Sequence, residues 1–209
     1  MQDLIDAGHR LWKQGLLPAT SGNLSVLDPE SGMVTVTRSG CDKGFLRDTH
    51  FATVPRDARA RGFVGVSAET DLHLAVYRTI PASEAGCVIH THGRASTLRS
   101  TRTGILACLT GWELLKALAP VQRDGRDPLL IHACLPVFLN DQNIEALADT
   151  VESYYAATRE TESRTLFAPG FLLNGHGMYV WGRDVAEAVR HTEALEYLLD
   201  LPAYEDRQR

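Results

Sequence analysis

The sequence has no surplus of basic residues: 21 Lys plus Arg stand against 26 Asp plus Glu, a net charge of -5. A chain that neutralises a run of phosphates needs the opposite balance, so no nucleic-acid partner is expected. It also lacks any uninterrupted apolar stretch of membrane-spanning length, and its opening residues, MQDLIDAGHRLWKQG, carry charge throughout, unlike a secretory leader. The expectation is a cytoplasmic protein with no membrane partner. Cysteine is scarce, and the four present (Cys41, Cys87, Cys108, Cys134) form no CxxC pair, which predicts reduced bystander thiols rather than a disulfide frame. Internal repeats and low-complexity tracts are absent. What is there is a chain of 209 residues, 44% hydrophobic, which fills one core and is too short for two with a linker. A single domain over 1–209 is expected.

Hydrophobic spacing predicts an amphipathic helix from Asp3 to Gln14, with Leu4, Ile5, Leu11 and Trp12 on one face. Leu24 to Leu27 and Met33 to Thr37 flank a turn-prone Asp-Pro-Glu-Ser-Gly and read as a β-hairpin, with Phe51 to Val54 a further strand. Ser67 is expected to cap a helix running from Glu69 to Arg78, and Cys87 to His90 reads as a buried strand. Trp112 to Leu118 reads as a short helix stopped by Pro120, followed by a solvated loop over Arg123 to Pro128. Asn140 or Asp141 is placed to cap a helix to about Arg159, after which comes a Thr/Glu-rich link. Phe171 to Leu173 and Met178 to Trp181 flank the turn Asn174-Gly175-His176-Gly177, and Asp184 with Glu187 resembles a capping box for a last helix to about Leu199. This irregular alternation, with hairpins, fits a mixed sheet covered by helices.

Residues two apart on a strand share a face, so His90 and His92 are able to offer two imidazoles to one ion. His176, flanked by glycines in a turn between strands, is the third candidate ligand. Three neutral imidazoles leave a fourth position open, which suits a catalytic zinc, although other divalent ions also accept imidazole. His9, His50, His73, His132 and His191 pair with nothing at ligand spacing and read as structural or surface residues.

Two glutamates border these segments. Glu113 lies among Leu109, Trp112, Leu114 and Leu115, where burial would raise its pKa and make it a usable acid or base. Glu69 falls in the first turn of a helix, where the dipole favours its charged form. Three short segments are suited to an anion: Thr20-Ser21-Gly22-Asn23, Ser39-Gly40 with Lys43, and Ser67.

Taken in order, Thr20-Ser21-Gly22-Asn23-Leu24-Ser25, Ser39-Gly40, Ser67-Ala68-Glu69, His90-Thr91-His92 and Gly175-His176-Gly177 resemble the class II aldolase and adducin head-domain family over most of the chain. The segments Ser39 to Gly44, Gly111 to Leu118, Pro136 to Gln142 and Gly177 to Gly182 are similar to its methionine-salvage dehydratase branch. Gly93 stands where serine is common after the HTH segment. The resemblance implies a three-layer αβα fold with a central mixed, largely antiparallel sheet. It further implies Zn2+ on His90, His92 and His176, and a homo-oligomer, a tetramer by habit, with sites near subunit contacts. The implied reaction is loss of water from 5-methylthioribulose 1-phosphate, with Glu113 and Glu69 as acid/base residues and Asn23, Ser39, Gly40, Lys43 and Ser67 gripping the phosphate. The alternatives left open are a sugar-phosphate aldolase or epimerase and a non-catalytic adducin-like binding module.

Overall fold

A computed structural model describes residues 1–159 and 166–201. The Thr/Glu-rich link lies outside the described residues. Nine strands are found among those described: β1 (Asn23–Asp28), β2 (Met33–Thr37), β3 (Phe51–Pro55), β4 (Cys87–Thr91), β5 (Leu106–Thr110), β6 (His132–Phe138), β7 (Leu166–Phe167), β8 (Gly170–Leu173) and β9 (Gly177–Gly182). They line up as β3-β2-β1-β4-β9-β8-β6-β5, with β7 beside β6. Only β6 with β8 and β6 with β7 run parallel; every other pairing is antiparallel.

Helices α1 (Gln2–Lys13), α2 (Thr70–Thr79), α3 (Arg94–Arg102), α4 (Ala119–Asp124), α5 (Ile144–Arg159) and α6 (Val185–Asp200) cover this sheet. Strand alternation decides which helix each residue meets. On β4 and β9, Val88, Tyr179 and Trp181 pack into the core made with α2 and α5. Met178 and Val180 enter a core with α3 and α6, and Cys87 and Ile89 one with α1 and the start of α6. The sheet therefore lies between two helical layers, as expected.

Local chemistry set several boundaries differently from the sequence expectation. α2 begins at Thr70, and Ser67 takes the Glu69 N–H at 3.3 Å rather than capping the helix proper. Asn143, not Asn140 or Asp141, caps α5 by accepting the Ala146 N–H at 3.2 Å, because Asp141 is spent on the Asn143 N–H. Pro120 opens α4 instead of closing a helix: a proline in the first turn forgoes an N–H that would have no partner there. The segment before it, Glu113–Ala117, is a 3-10 helix. Asp184 accepts the Glu187 N–H as expected, but the Glu187 carboxylate accepts in turn from the Arg183 N–H.

The expectation of four reduced thiols is corrected. Cys108 of β5 and Cys134 of β6 form a disulfide, leaving Cys41 and Cys87 free. The two stand directly opposite each other in the antiparallel register, a juxtaposition that 26 residues of separation hide in the sequence.

Where β9 meets β4 beside His92, the backbones are very close. A Cβ on Gly177 would lie 2.0 Å from the Thr91 carbonyl oxygen, which is backbone and has little room to retreat. Gly177→Ala should therefore cost about 3 kcal/mol, in the range of overpacked cores, read as a lowered urea midpoint with unchanged slope. A midpoint equal to the parent's would refute the close approach.

Candidate metal centre

His90 and His92 lie at the end of β4 with equal strand parity, and the β8–β9 turn brings His176 alongside. The Nε2 atoms of His92 and His176 are 3.2 Å apart, and the three rings pack with centroids 4.5 to 5.0 Å apart. Glu69, just before α2, completes the group: its Oε1 lies 3.3 Å from His176 Nε2 and 3.7 Å from His90 Nε2. One potential ligand atom from each of the four falls within 4.8 Å of the others.

The ring orientations are held from behind. His90 Nδ1 sits 3.0 Å from the Met178 carbonyl oxygen, which only accepts, so Nδ1 carries the hydrogen and Nε2 presents its lone pair inward. His176 Nδ1 meets Asn140 Oδ1 at 3.2 Å in the same way. His90 Nε2 is buried without a hydrogen-bond partner. Burial and the neighbouring His90 and His176 push His92 down to about 4, so it is neutral near pH 7. Burial opposes the charge on Glu69, yet the neighbouring rings of His176 and His90 outweigh it and hold the carboxyl below the usual range. Three imidazole nitrogens and one carboxylate oxygen converging on a point are a donor set suited to a divalent cation. These residues fit a metal ion.

Each of the other anticipated site residues has a definite place. Asn23 is buried opposite His90 in the β1–β4 register, its Oδ1 unpaired, and Gly22 before it approaches His90 so closely that a Cβ would meet the His90 carbonyl oxygen at 2.6 Å. Lys43 is buried and donates to the Thr20 carbonyl oxygen at 2.6 Å; burial lowers its pKa, while Cys41, Glu69 and Asp42 oppose that shift. Ala19 and Thr20 hold left-handed backbone at φ 50 and 67, a strained stretch beside the site. Ser39 and Gly40 are exposed in the turn after β2, and the Ser39 N–H donates to the Gly65 carbonyl oxygen at 3.0 Å, which ties them to the loop leading to Ser67.

Glu113 is the exception. Its side chain is 72% exposed and bound to Lys116, which holds its carboxyl below the usual range, so the expected burial and raised pKa are corrected. Leu109 belongs to β5 and Trp112 precedes the 3-10 helix, and that helix itself turns only Leu115 fully inward. Glu113 follows β5, which lies three strands beyond β9, about 14 Å at ordinary strand spacing.

Glu69, expected as a supporting carboxylate or alternative base, stands within the cluster of potential ligands. Its position at a helix start gave no hint, because the meeting of α2 with β4 is a tertiary fact. The glycine after the HTH segment also finds its reason here. Glu196 of α6 caps α3 by accepting the Ala95 N–H at 2.7 Å, and a Cβ on Gly93 would fall 2.3 Å from that carboxylate.

A profile of the Class II Aldolase and Adducin N-terminal domain family matches residues 2–202. The chain belongs to that family. Among class II aldolase relatives, a methylthioribulose-1-phosphate dehydratase of Methylococcus capsulatus is 42% identical over 201 residues, covering 95% of this chain and 90% of that protein. A protein of the same name from Sorangium cellulosum is 38% identical, covering 95% and 88%. The class II aldolase fold is shared with L-fuculose-1-phosphate aldolase from Thermus thermophilus, with a TM-score of 0.72 at 24% identity over 99% of this chain and 94% of that one. No helix among the described residues is long and apolar enough to cross a membrane.

Proposed function

We propose that this chain is a hydro-lyase that removes water from 5-methylthioribulose 1-phosphate, giving 2,3-diketo-5-methylthiopentyl 1-phosphate in methionine salvage. The observation that carries the reading is end-to-end similarity, near 40% identity, to proteins bearing that name, in a chain that retains a Glu/His3 cluster. A divalent cation, zinc in this reading, held by His90, His92 and His176, supplies Lewis acidity to the carbonyl of a bound ketose.

The chain's own residues do the rest. Asn23, Ser39, Gly40, Lys43 and Ser67 grip the phosphate and so fix C3 and C4 at the cluster. Glu113 does the acid/base work: as a carboxylate it takes the C3 proton, and it then hands that proton to the departing C4 hydroxyl, which leaves as water, while Glu69 serves as supporting carboxylate or alternative base. Because Glu113 is solvent-facing and far along the sheet from the cluster, it acts in this reading on the site of a neighbouring subunit in a cytoplasmic homotetramer of single-domain chains.

One observation favours a second reading. Glu69 stands in the cluster and Glu113 does not, which would suit an aldolase or epimerase working through Glu69 alone. A purely binding, adducin-like role is disfavoured by the completeness of the ligand set. The deciding experiment incubates the metal-loaded chain with a panel of ketose 1-phosphates that includes methylthioribulose 1-phosphate. Diketone formation without carbon–carbon cleavage is expected; release of dihydroxyacetone phosphate establishes the aldolase instead.

A further inference from the structure

Behind the metal cluster lies a second polar group that this chemistry does not use. Ser25 of β1 and His73 and Tyr77 of α2 are all buried. Ser25 Oγ lies 2.8 Å from His73 Nδ1 and 2.8 Å from the Tyr77 hydroxyl, so one strand hydroxyl ties two successive helical turns. Buried polar side chains cost stability unless they are paired, and apolar residues would fill this space without that demand. Their spacing shows what the arrangement achieves. Residues 69, 73 and 77 recur every four positions and lie above one another on one helix face. Glu69 is thus the outer end of a stripe whose next two members are fastened to β1. That strand is in turn paired with β4, where Asn23 stands opposite His90.

A second contact reaches the cluster from the same imidazole. Tyr179 stacks on His90 with ring centroids 4.1 Å apart and planes 10° from parallel, and His73 meets Tyr179 edge-on at 5.4 Å. His73 therefore touches both the helix that presents Glu69 and the ring that backs His90.

We propose that His73 is a positioning residue: bonded to Ser25, it fixes the start of α2 so that Glu69 stands at the three imidazoles, and it braces Tyr179 against His90. The inference rests on the metal reading above and deepens it. The test uses the full chain stripped of metal, with Zn2+ affinity measured by competition with a chromophoric chelator and the visible spectrum recorded after loading with Co2+. Ser25→Ala and His73→Phe each remove the bond, the latter keeping a ring against Tyr179, while His73→Asn returns a polar atom near the Nδ1 position. Expected are a 10- to 100-fold loss of Zn2+ affinity, on the order found for outer-sphere partners, and an altered Co2+ spectrum in the first two variants, with His73→Asn largely restored.

Parental Zn2+ affinity and Co2+ spectrum in Ser25→Ala, even with a lowered melting temperature, would overturn the proposal, as would a His73→Asn variant as weak as His73→Phe. Should His73→Phe fail to fold, Ser25→Ala decides alone. A parent chain that takes up no Zn2+ overturns the metal reading and this inference with it; normal uptake by both parent and Ser25→Ala overturns only the inference.

Discussion

Replacing His92 by alanine should empty the metal site and abolish turnover while leaving the chain folded. The ring is only partly buried at the end of β4, its polar contact is to His176, and its backbone N–H bond to the Leu16 carbonyl oxygen survives the substitution. Little core volume is lost, so the fold is spared. The cluster, in contrast, loses a neutral nitrogen that meets the others without reorganisation. The remaining His90, His176 and Glu69 hold an ion far less tightly, by more than the roughly 10- to 100-fold that loss of an outer partner costs. Metal analysis of protein purified without chelator should fall from about one ion per chain to near none, with an unchanged far-ultraviolet spectrum. A His92→Ala chain that keeps a full equivalent of metal would falsify the proposed ligand set.

Glu113→Gln should lower turnover by roughly 10²- to 10⁴-fold, the usual contribution of a positioned acid or base, and leave the metal content unchanged. Exposure of Glu113 makes the substitution harmless to folding, since its partner Lys116 is also at the surface. The location adds a sharper expectation. If Glu113 of one subunit serves the cluster of another, mixing Glu113→Gln with His92→Ala chains and reassembling them should recover activity, because some sites then unite an intact glutamate with intact ligands. Activity that survives Glu113→Gln would instead transfer the acid/base role to Glu69 and favour the aldolase reading.

Local signals in the chain were legible where neighbours in sequence are neighbours in space. The hairpin of β1 and β2 follows from its turn residues, and the shared face of His90 and His92 from strand parity. His176 stands out in the sequence because glycines bracket it in a turn, and the structure brings its ring beside His90 and His92. Local patterns mislead where one signal serves two structures. Pro120 stops a helix or starts one according to whether its missing N–H has a carbonyl to seek, and here it lies in a first turn. Glu113 sits in a run of apolar residues, but a 3-10 helix of five residues turns so little of that run inward that the carboxylate stays in water.

What the amino-acid order determined by itself was the set of chemical parts and the elements that carry them: three imidazoles, two glutamates, a mixed set of helices and strands, and their kinship. Only the tertiary structure decided that Glu69 joins the imidazoles, that Glu113 does not, that Cys108 faces Cys134, and that His73 stands behind His90. The reason is physical. Strand pairing and helix docking bring together residues tens of positions apart, and the direction in which each side chain then points depends on the packing of surfaces that no short stretch of sequence contains.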